Sequence, residues 1–130
     1  MCTKTLVVFA VILVLLDSIW LMGAGDLHKQ MVQDVHGLKD GSIKFNKLAA
    51  VLFYVLAAVS YVFIVRKLAK SEKDALLYGA LLGAAMYFTF DLTNKAIFEK
   101  YTWSYAIQDG LWGTMVMGIA SYLTYKAVKN

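Results

Sequence analysis

The chain has 130 residues, of which 60% are hydrophobic and only 17% are charged, a balance that argues against a soluble domain. Its formal net charge is +4, but the lysines cluster at the ends of apolar segments, where they meet lipid headgroups, so nucleic-acid binding is not expected. The single cysteine, Cys2, excludes an internal disulfide. We treat residues 1–130 as one membrane domain.

The first apolar segment predicts a membrane span over about residues 5–23. Roughly 20 residues at about 1.5 Å each are enough to cross a hydrocarbon core of ~30 Å. The same segment has a second interpretation, because Lys4 precedes a Leu/Val-rich run that ends in the small residues of 23–25. That order is also typical of a cleavable signal peptide, and the sequence leaves both interpretations open.

A polar segment follows, and it predicts a short amphipathic helix over about residues 27–38. The apolar residues of this segment recur at helical spacing, at Leu27, Met31, Val35 and Leu38. We expect the helix to lie on the membrane surface and to end before a turn signal at 40–42. His28 and His36 flank it without a further His or Cys nearby, so no metal site and no cofactor are expected.

Three further spans are predicted over about residues 48–65, 75–98 and 104–125. The second span carries no charge, and the third contains Gly79 and Gly83 at the four-residue spacing that lets two helix backbones approach closely. The predicted fold is therefore an all-α integral membrane protein. Four transmembrane helices form an antiparallel bundle, with the interfacial amphipathic helix between spans 1 and 2.

The orientation of this multi-pass protein is predicted from its basic residues. With four spans, seven Lys and Arg side chains lie on the side of the termini and six on the other side. Because basic residues favour the cytoplasmic side, both termini are predicted to be cytoplasmic.

Asp17, Asp91 and Asp109 are the most informative residues of the sequence, because each lies within a predicted span. From the alternating directions of the spans, Asp17 lies roughly 5 Å, Asp91 roughly 7 to 8 Å and Asp109 roughly 9 Å from the midplane, all on one side. An ionised Asp at a helix centre costs on the order of 2.5 to 3.5 kcal/mol on insertion scales. The three carboxyl groups are therefore expected to turn inward and form one polar layer.

Each aspartate has polar or small neighbours on its own helical face, three or four residues away. Lys95 is placed to neutralise Asp91. The supporting residues are Trp20 beside Asp17; Tyr87, Asn94 and Lys95 beside Asp91; and Tyr105, Trp112 and Gly113 beside Asp109.

The sequence words that surround these residues resemble a known family. They are Asp17-Ser-Ile-Trp20-Leu, Phe53-Tyr54, Phe90-Asp91-Leu-Thr93-Asn94-Lys-Ala96 and Asp109-Gly-Leu-Trp112-Gly113-Thr114. Over nearly the whole chain they are similar to the four-span membrane proteins called domain of unknown function 2177. The resemblance implies the four-span layout and supplies no activity. It marks as motif positions Asp17, Trp20, Asp91, Thr93, Asn94, Asp109, Trp112 and Gly113.

Three functions are compatible with the polar layer. The favoured one is a site formed by Asp17, Asp91, Asn94 and Asp109 that binds or transports a proton, a cation or a small polar solute, with a homo-oligomer or a larger membrane complex providing any conducting path. A second is a structural or assembly subunit, in which the aspartates only fix helix packing. The third, an enzyme acting on a lipid-soluble substrate, lacks a supporting catalytic motif, and no catalytic residue is assigned.

Overall fold

The computed structural model describes residues 2–36 and 46–128, which are almost entirely helical. The described helices are α1 (Cys2–Gly23), α2 (Gly25–His36), α3 (Lys47–Leu68), α4 (Glu72–Ile97) and α5 (Trp103–Ala127). Residues 37 and 38 of the predicted amphipathic helix and the predicted turn at 40–42 lie outside the described residues.

Polar capping residues set where α3, α4 and α5 begin. The side chains of Asn46, Ser71 and Thr102 each accept a hydrogen bond from the backbone N–H three residues further on. These helices therefore start one to three residues before the apolar segments from which spans were predicted. The connections at 69–71 and 98–102 are short, so consecutive helices run antiparallel to each other.

The closest helix packing is between α4 and α5, and it depends on glycines. A Cβ atom added to Gly83 would lie 2.3 Å from the carbonyl oxygen of Gly113, and one added to Gly79 would lie 2.3 Å from the hydroxyl of Ser121. Gly113 in turn makes room for the ring of Tyr87. The predicted Gly79 and Gly83 thus lie against α5 of the same chain.

Helix α1 completes the core on the side of the chain termini. It buries Thr5, Phe9, Leu13 and Asp17, which follow one another at four-residue spacing. Phe9 stacks on Tyr61 with ring centroids 4.6 Å apart, where α3 widens into a π-helical stretch over Tyr61–Val65. The half of the bundle nearest the termini is therefore filled by side chains.

By length and composition, three of the described helices are long and apolar enough to cross a membrane: α1, α3 and α4. They expose large apolar side chains on their outer surfaces, including Leu15, Leu52 and Leu81. Such an exposed apolar surface is stable in contact with lipid. α5 has a similar length, 25 residues, but more of its residues are buried than in the other three helices.

Gly83→Ala should destabilise the protein, because the added methyl group would press on the backbone of α5. Overpacking of this kind costs about 1–3 kcal/mol. Thermal unfolding in detergent, followed by circular dichroism, should give a lower midpoint for Gly83→Ala than for the parent. The control is Gly23→Ala, since a Cβ at Gly23 meets nothing within 4 Å. Equal midpoints for the two variants would contradict the observed packing.

Candidate functional site

Two Asp-x-x-Trp sequences, one on α1 and one on α5, form the centre of the polar layer. The indole N–H of Trp112 donates a hydrogen bond to Asp17 Oδ1 at 2.9 Å, and the indole N–H of Trp20 donates to Asp109 Oδ1 at 3.1 Å. Each aspartate therefore binds the tryptophan of the other helix. We call this arrangement the Asp-Trp exchange.

The exchange requires antiparallel helices. The aspartate precedes the tryptophan by three residues on both α1 and α5, so each Asp lies level with the opposite Trp only if the two helices run in opposite directions. The two indole rings of Trp20 and Trp112 are stacked, with centroids 5.6 Å apart and an interplanar angle of 17°. Hydrogen bonding and stacking together fix the register of α1 against α5.

Two tyrosines supply the remaining hydrogen bonds to the aspartates. The Tyr54 hydroxyl donates to Asp17 Oδ2 at 2.6 Å, and the Tyr101 hydroxyl donates to Asp91 Oδ1 at 2.5 Å. Burial, reinforced by the hydrogen bond to Asp91, raises the pKa of Tyr101 above its usual value, so this residue is a neutral donor at physiological pH. The indole and phenol donors to the three aspartates are all neutral, and the carboxyl groups of Asp91 and Asp109 also lie within hydrogen-bonding reach of each other.

The polar layer borders a cavity of about 230 Å³, which we call the aspartate cavity. It combines two carboxyl groups with aromatic and apolar side chains, and none of the described residues that line it is basic. Its lining consists of Asp17, Trp20, Leu21, Phe53, Met86, Tyr87, Phe90 and Asp109.

Two buried oxygen atoms in this region have no hydrogen-bond partner among the described residues. One is the hydroxyl of Tyr87, whose electrostatic neighbours include all three aspartates. The other is Asp91 Oδ2, on a side chain that is 0% exposed; the carboxyl group of Asp109 lies within hydrogen-bonding reach of Asp91, and such a bond requires a proton shared by the two groups. Unpaired buried oxygens cost free energy, so they favour a bound partner such as a proton, a cation or a polar ligand.

A second cavity, of about 310 Å³, lies between α2, the end of α4 and the start of α5. It is mostly apolar, and Asn94, Tyr101 and Tyr105 contribute its polar groups. Phe90 lines both this cavity and the aspartate cavity. The two spaces are therefore neighbours.

His28 of α2 connects the amphipathic helix to the same region. Its Nδ1 atom and the Tyr105 hydroxyl are hydrogen-bonded at 2.5 Å. Its ring packs against Trp20 in an edge-to-face arrangement with a centroid distance of 5.1 Å. Further along α2, Met31 packs near Tyr101 and Ala106. On the apolar face of α2, Met31 is thus buried against the protein, whereas Leu27 and Val35 are only partly buried.

The structure brings most of the sequence-predicted site residues together. Those at the polar layer or the aspartate cavity are Asp17, Trp20, Tyr87, Asp91, Asp109 and Trp112, with Gly113 packed against Tyr87. Asn94 and Tyr105 instead line the second cavity.

Two expectations about neighbouring residues differ from the structure. The ammonium group of Lys95 donates to the carbonyl oxygen of Glu99 at 3.2 Å and lies 5.9 Å from the ring centroid of Trp103, so it does not neutralise Asp91. Its long side chain reaches toward the end of α4, where backbone carbonyls accept cations. Thr93 is exposed on the outer face of α4 and is not part of the site.

Sequence reasoning missed Tyr54, Tyr101 and the aromatic wall formed by Phe53 and Phe90. Tyr54 was detectable as a hydroxyl within an otherwise apolar helix. Tyr101 gave no such signal, since it lies outside the predicted spans, between α4 and α5. Its bond to Asp91 follows from the turn at 98–102, which folds the chain back over the end of α4.

The apolar helices and the buried aspartates define a helical integral membrane protein. No group of three or more His, Cys, Asp or Glu side chains within the described ranges is arranged to hold a metal ion. The chain belongs to the DUF2177 family, described as "Predicted membrane protein", whose family model matches residues 2–126. No curated protein and no solved structure matches it.

The Asp-Trp exchange predicts an energetic coupling between Asp17 and Trp112. In a double-mutant cycle with Asp17→Leu and Trp112→Phe, each of which removes the hydrogen bond, the effects on the free energy of unfolding should be non-additive by about 0.5–1.5 kcal/mol, the usual contribution of one hydrogen bond. Equilibrium unfolding in mixed detergent micelles measures each corner of the cycle.

The matched control pairs Asp17→Leu with Trp103→Phe. Trp103 is exposed and lies outside the polar layer, so these two effects should add within roughly 0.3–0.5 kcal/mol. Additivity in the Asp17 and Trp112 cycle as well would contradict a stabilising exchange.

Proposed function

We propose that this membrane protein binds a proton or a small cation in the aspartate cavity. The observation that carries the proposal is the charge balance of the polar layer. Asp17, Asp91 and Asp109 are buried and receive hydrogen bonds from neutral donors, and no basic side chain lines the cavity within the described ranges.

The energetic reason is that neutral donors stabilise a buried carboxylate without cancelling its charge. An uncompensated Asp at a helix centre costs on the order of 2.5 to 3.5 kcal/mol on insertion scales. Three such groups close together would also repel one another. A bound proton or cation reduces both costs, and the Tyr87 hydroxyl, which lines the cavity and has no hydrogen-bond partner among the described residues, offers it a further oxygen.

Binding is better supported than conduction by a single copy of the chain. On the side of the termini, the core is closed by Phe9, Leu13, Tyr61 and Met117, all of which are fully buried. These four side chains, which we call the apolar plug, would block an ion that entered the aspartate cavity from crossing the bundle. Transport across the whole bilayer would therefore require rearrangement of the plug or a path formed with further subunits.

We also propose that α5 is a fourth membrane span. Between Asp109 and Tyr125 its exposed residues are all apolar, namely Leu111, Met115, Ile119 and Leu123. Its polar residues are mostly turned toward the neighbouring helices, which lowers its overall hydropathy without exposing polar groups to lipid. With four spans, both termini lie on one side of the membrane and α2 lies at the interface on the other side. We propose, from the distribution of basic residues, that the side of the termini is the cytoplasm.

The topology can be tested by labelling single cysteines in intact cells with a membrane-impermeant maleimide. In a Cys2→Ser background, Lys100→Cys should react from outside, whereas Lys70→Cys and Lys126→Cys should react only after permeabilisation. Labelling of Lys126→Cys from outside, together with Lys100→Cys, would show that α5 does not cross. Labelling of Lys70→Cys from outside would reverse the proposed orientation.

The binding proposal predicts that cations or protons stabilise the folded protein. A ligand at 100 times its dissociation constant contributes about 2.7 kcal/mol. The thermal midpoint should therefore rise with the concentration of the bound cation, or vary with pH if a proton is the ligand. Asp17→Asn and Asp109→Asn should each reduce this dependence, while Asp34→Asn, at an exposed position on α2, should retain it.

A structural role for the aspartates is the second candidate, and the Asp-Trp exchange favours it. If the polar layer only fixes helix register, then Asp→Asn variants should lower the thermal midpoint without altering its response to cations or pH. A wild-type midpoint that is independent of both would rule out the binding proposal and leave this structural role.

A further inference from the structure

We infer that the aspartate cavity recognises an ammonium group that carries alkyl substituents. This inference rests on the proposed cation binding and identifies the chemical class of the cation. It follows from the combination of carboxyl groups and aromatic rings around one small space, which differs from the oxygen-rich surroundings that a metal ion requires.

Four aromatic side chains line the cavity together with Asp17 and Asp109: Trp20, Phe53, Tyr87 and Phe90. The rings of Phe53 and Tyr87 meet edge to face at a centroid distance of 6.0 Å, so two helices contribute to one aromatic wall. Aromatic faces attract cations, and surrounding aromatic rings are the usual protein environment of substituted ammonium groups. The two carboxyl groups add the opposite charge.

The remaining lining residues disfavour a small metal ion. Leu21 and Met86 offer no oxygen ligand, and the described carboxylates are not grouped as a metal-binding set. A metal ion would have to lose its hydration shell and gain too few oxygen ligands in return. A substituted ammonium is weakly hydrated, and its alkyl groups gain from contact with apolar side chains.

The size of the cavity limits the ligand to a small group. Its volume of about 230 Å³ lies below the range of roughly 300–1,000 Å³ that is typical of sites for drug-sized molecules. The unpaired Tyr87 hydroxyl oxygen adds a further electron-rich contact for a positive group. The cavity therefore suits a simple alkylammonium or the head of a longer molecule.

Two exposed apolar residues, Leu21 and Phe90, also line the cavity, so it borders the outer surface of the bundle. The ammonium group could arrive on a free amine or on the headgroup of a lipid such as phosphatidylcholine. The chemistry recognised in the cavity is the same in both cases.

The test uses the intrinsic fluorescence of the full chain. The protein has three tryptophans, so Trp103→Phe leaves only Trp20 and Trp112, both in the polar layer. In detergent without choline lipids, choline should change this fluorescence saturably. Dimethylbutanol, the neutral carbon isostere of choline, should bind at least tenfold more weakly because it lacks the charge.

Variants of the cavity separate the roles of its rings and its carboxyl groups. Phe53→Leu, which keeps an apolar side chain of similar bulk, should weaken choline binding about fivefold, in line with the strength of one cation-aromatic contact. Asp109→Asn should weaken it further, and Asp34→Asn should have no effect. In nanodiscs, phosphatidylcholine should reproduce the fluorescence change relative to phosphatidylglycerol only if a lipid headgroup is the source.

Several results would overturn the inference. Equal binding of choline and dimethylbutanol would mean that the cavity recognises only apolar bulk. A response to pH or to potassium but not to choline would reject the ammonium and leave the proposed cation or proton binding intact. No response to any of these ligands, in fluorescence or in thermal stability, would reject both.

Discussion

The reciprocal hydrogen bonding of Asp17 with Trp112 and of Asp109 with Trp20 is the constraint on which the rest of the site depends. It joins the first and last helices of the described chain, which no loop connects directly. The exchange works only for antiparallel helices in one register. Tyr54 of α3 joins the same layer through its hydrogen bond to Asp17. The tight glycine contacts between α4 and α5 then bring Asp91 and Tyr87 into that layer.

Helix packing and polar chemistry are thus connected at single residues. Gly113 follows Trp112 directly, and the absence of its side chain leaves the space that the Tyr87 ring occupies. Tyr87 in turn carries a hydroxyl that lies within electrostatic range of all three aspartates and has no hydrogen bond among the described residues. Gly113, which close helix packing requires, therefore also determines where the Tyr87 ring and its hydroxyl lie in the cavity.

The sequence was a good guide to the helices and to the shared layer of aspartates, because apolar periodicity and the rise per residue depend only on local geometry. It was a poorer guide to the side chains that contact the aspartates. Lys95 has the right spacing to reach Asp91 but extends to the end of its helix, and Tyr101 reaches Asp91 from a turn. Which side chain reaches Asp91 depends on its direction and on how the chain folds back on itself, and neither periodicity nor spacing determines these.

The Asp-Trp exchange also has a consequence for biosynthesis. Along the chain Asp17 precedes Asp109 and Trp112 by more than 90 residues, so α1 is synthesised well before either of these residues of α5. Until α5 is made, Trp20 has no Asp109 to bind, and Tyr54 is the only one of the two observed donors to Asp17 that is available. Both hydrogen bonds of the Asp-Trp exchange can therefore form only after α5 has been made, which makes the register of α1 against α5 a late event in biosynthesis.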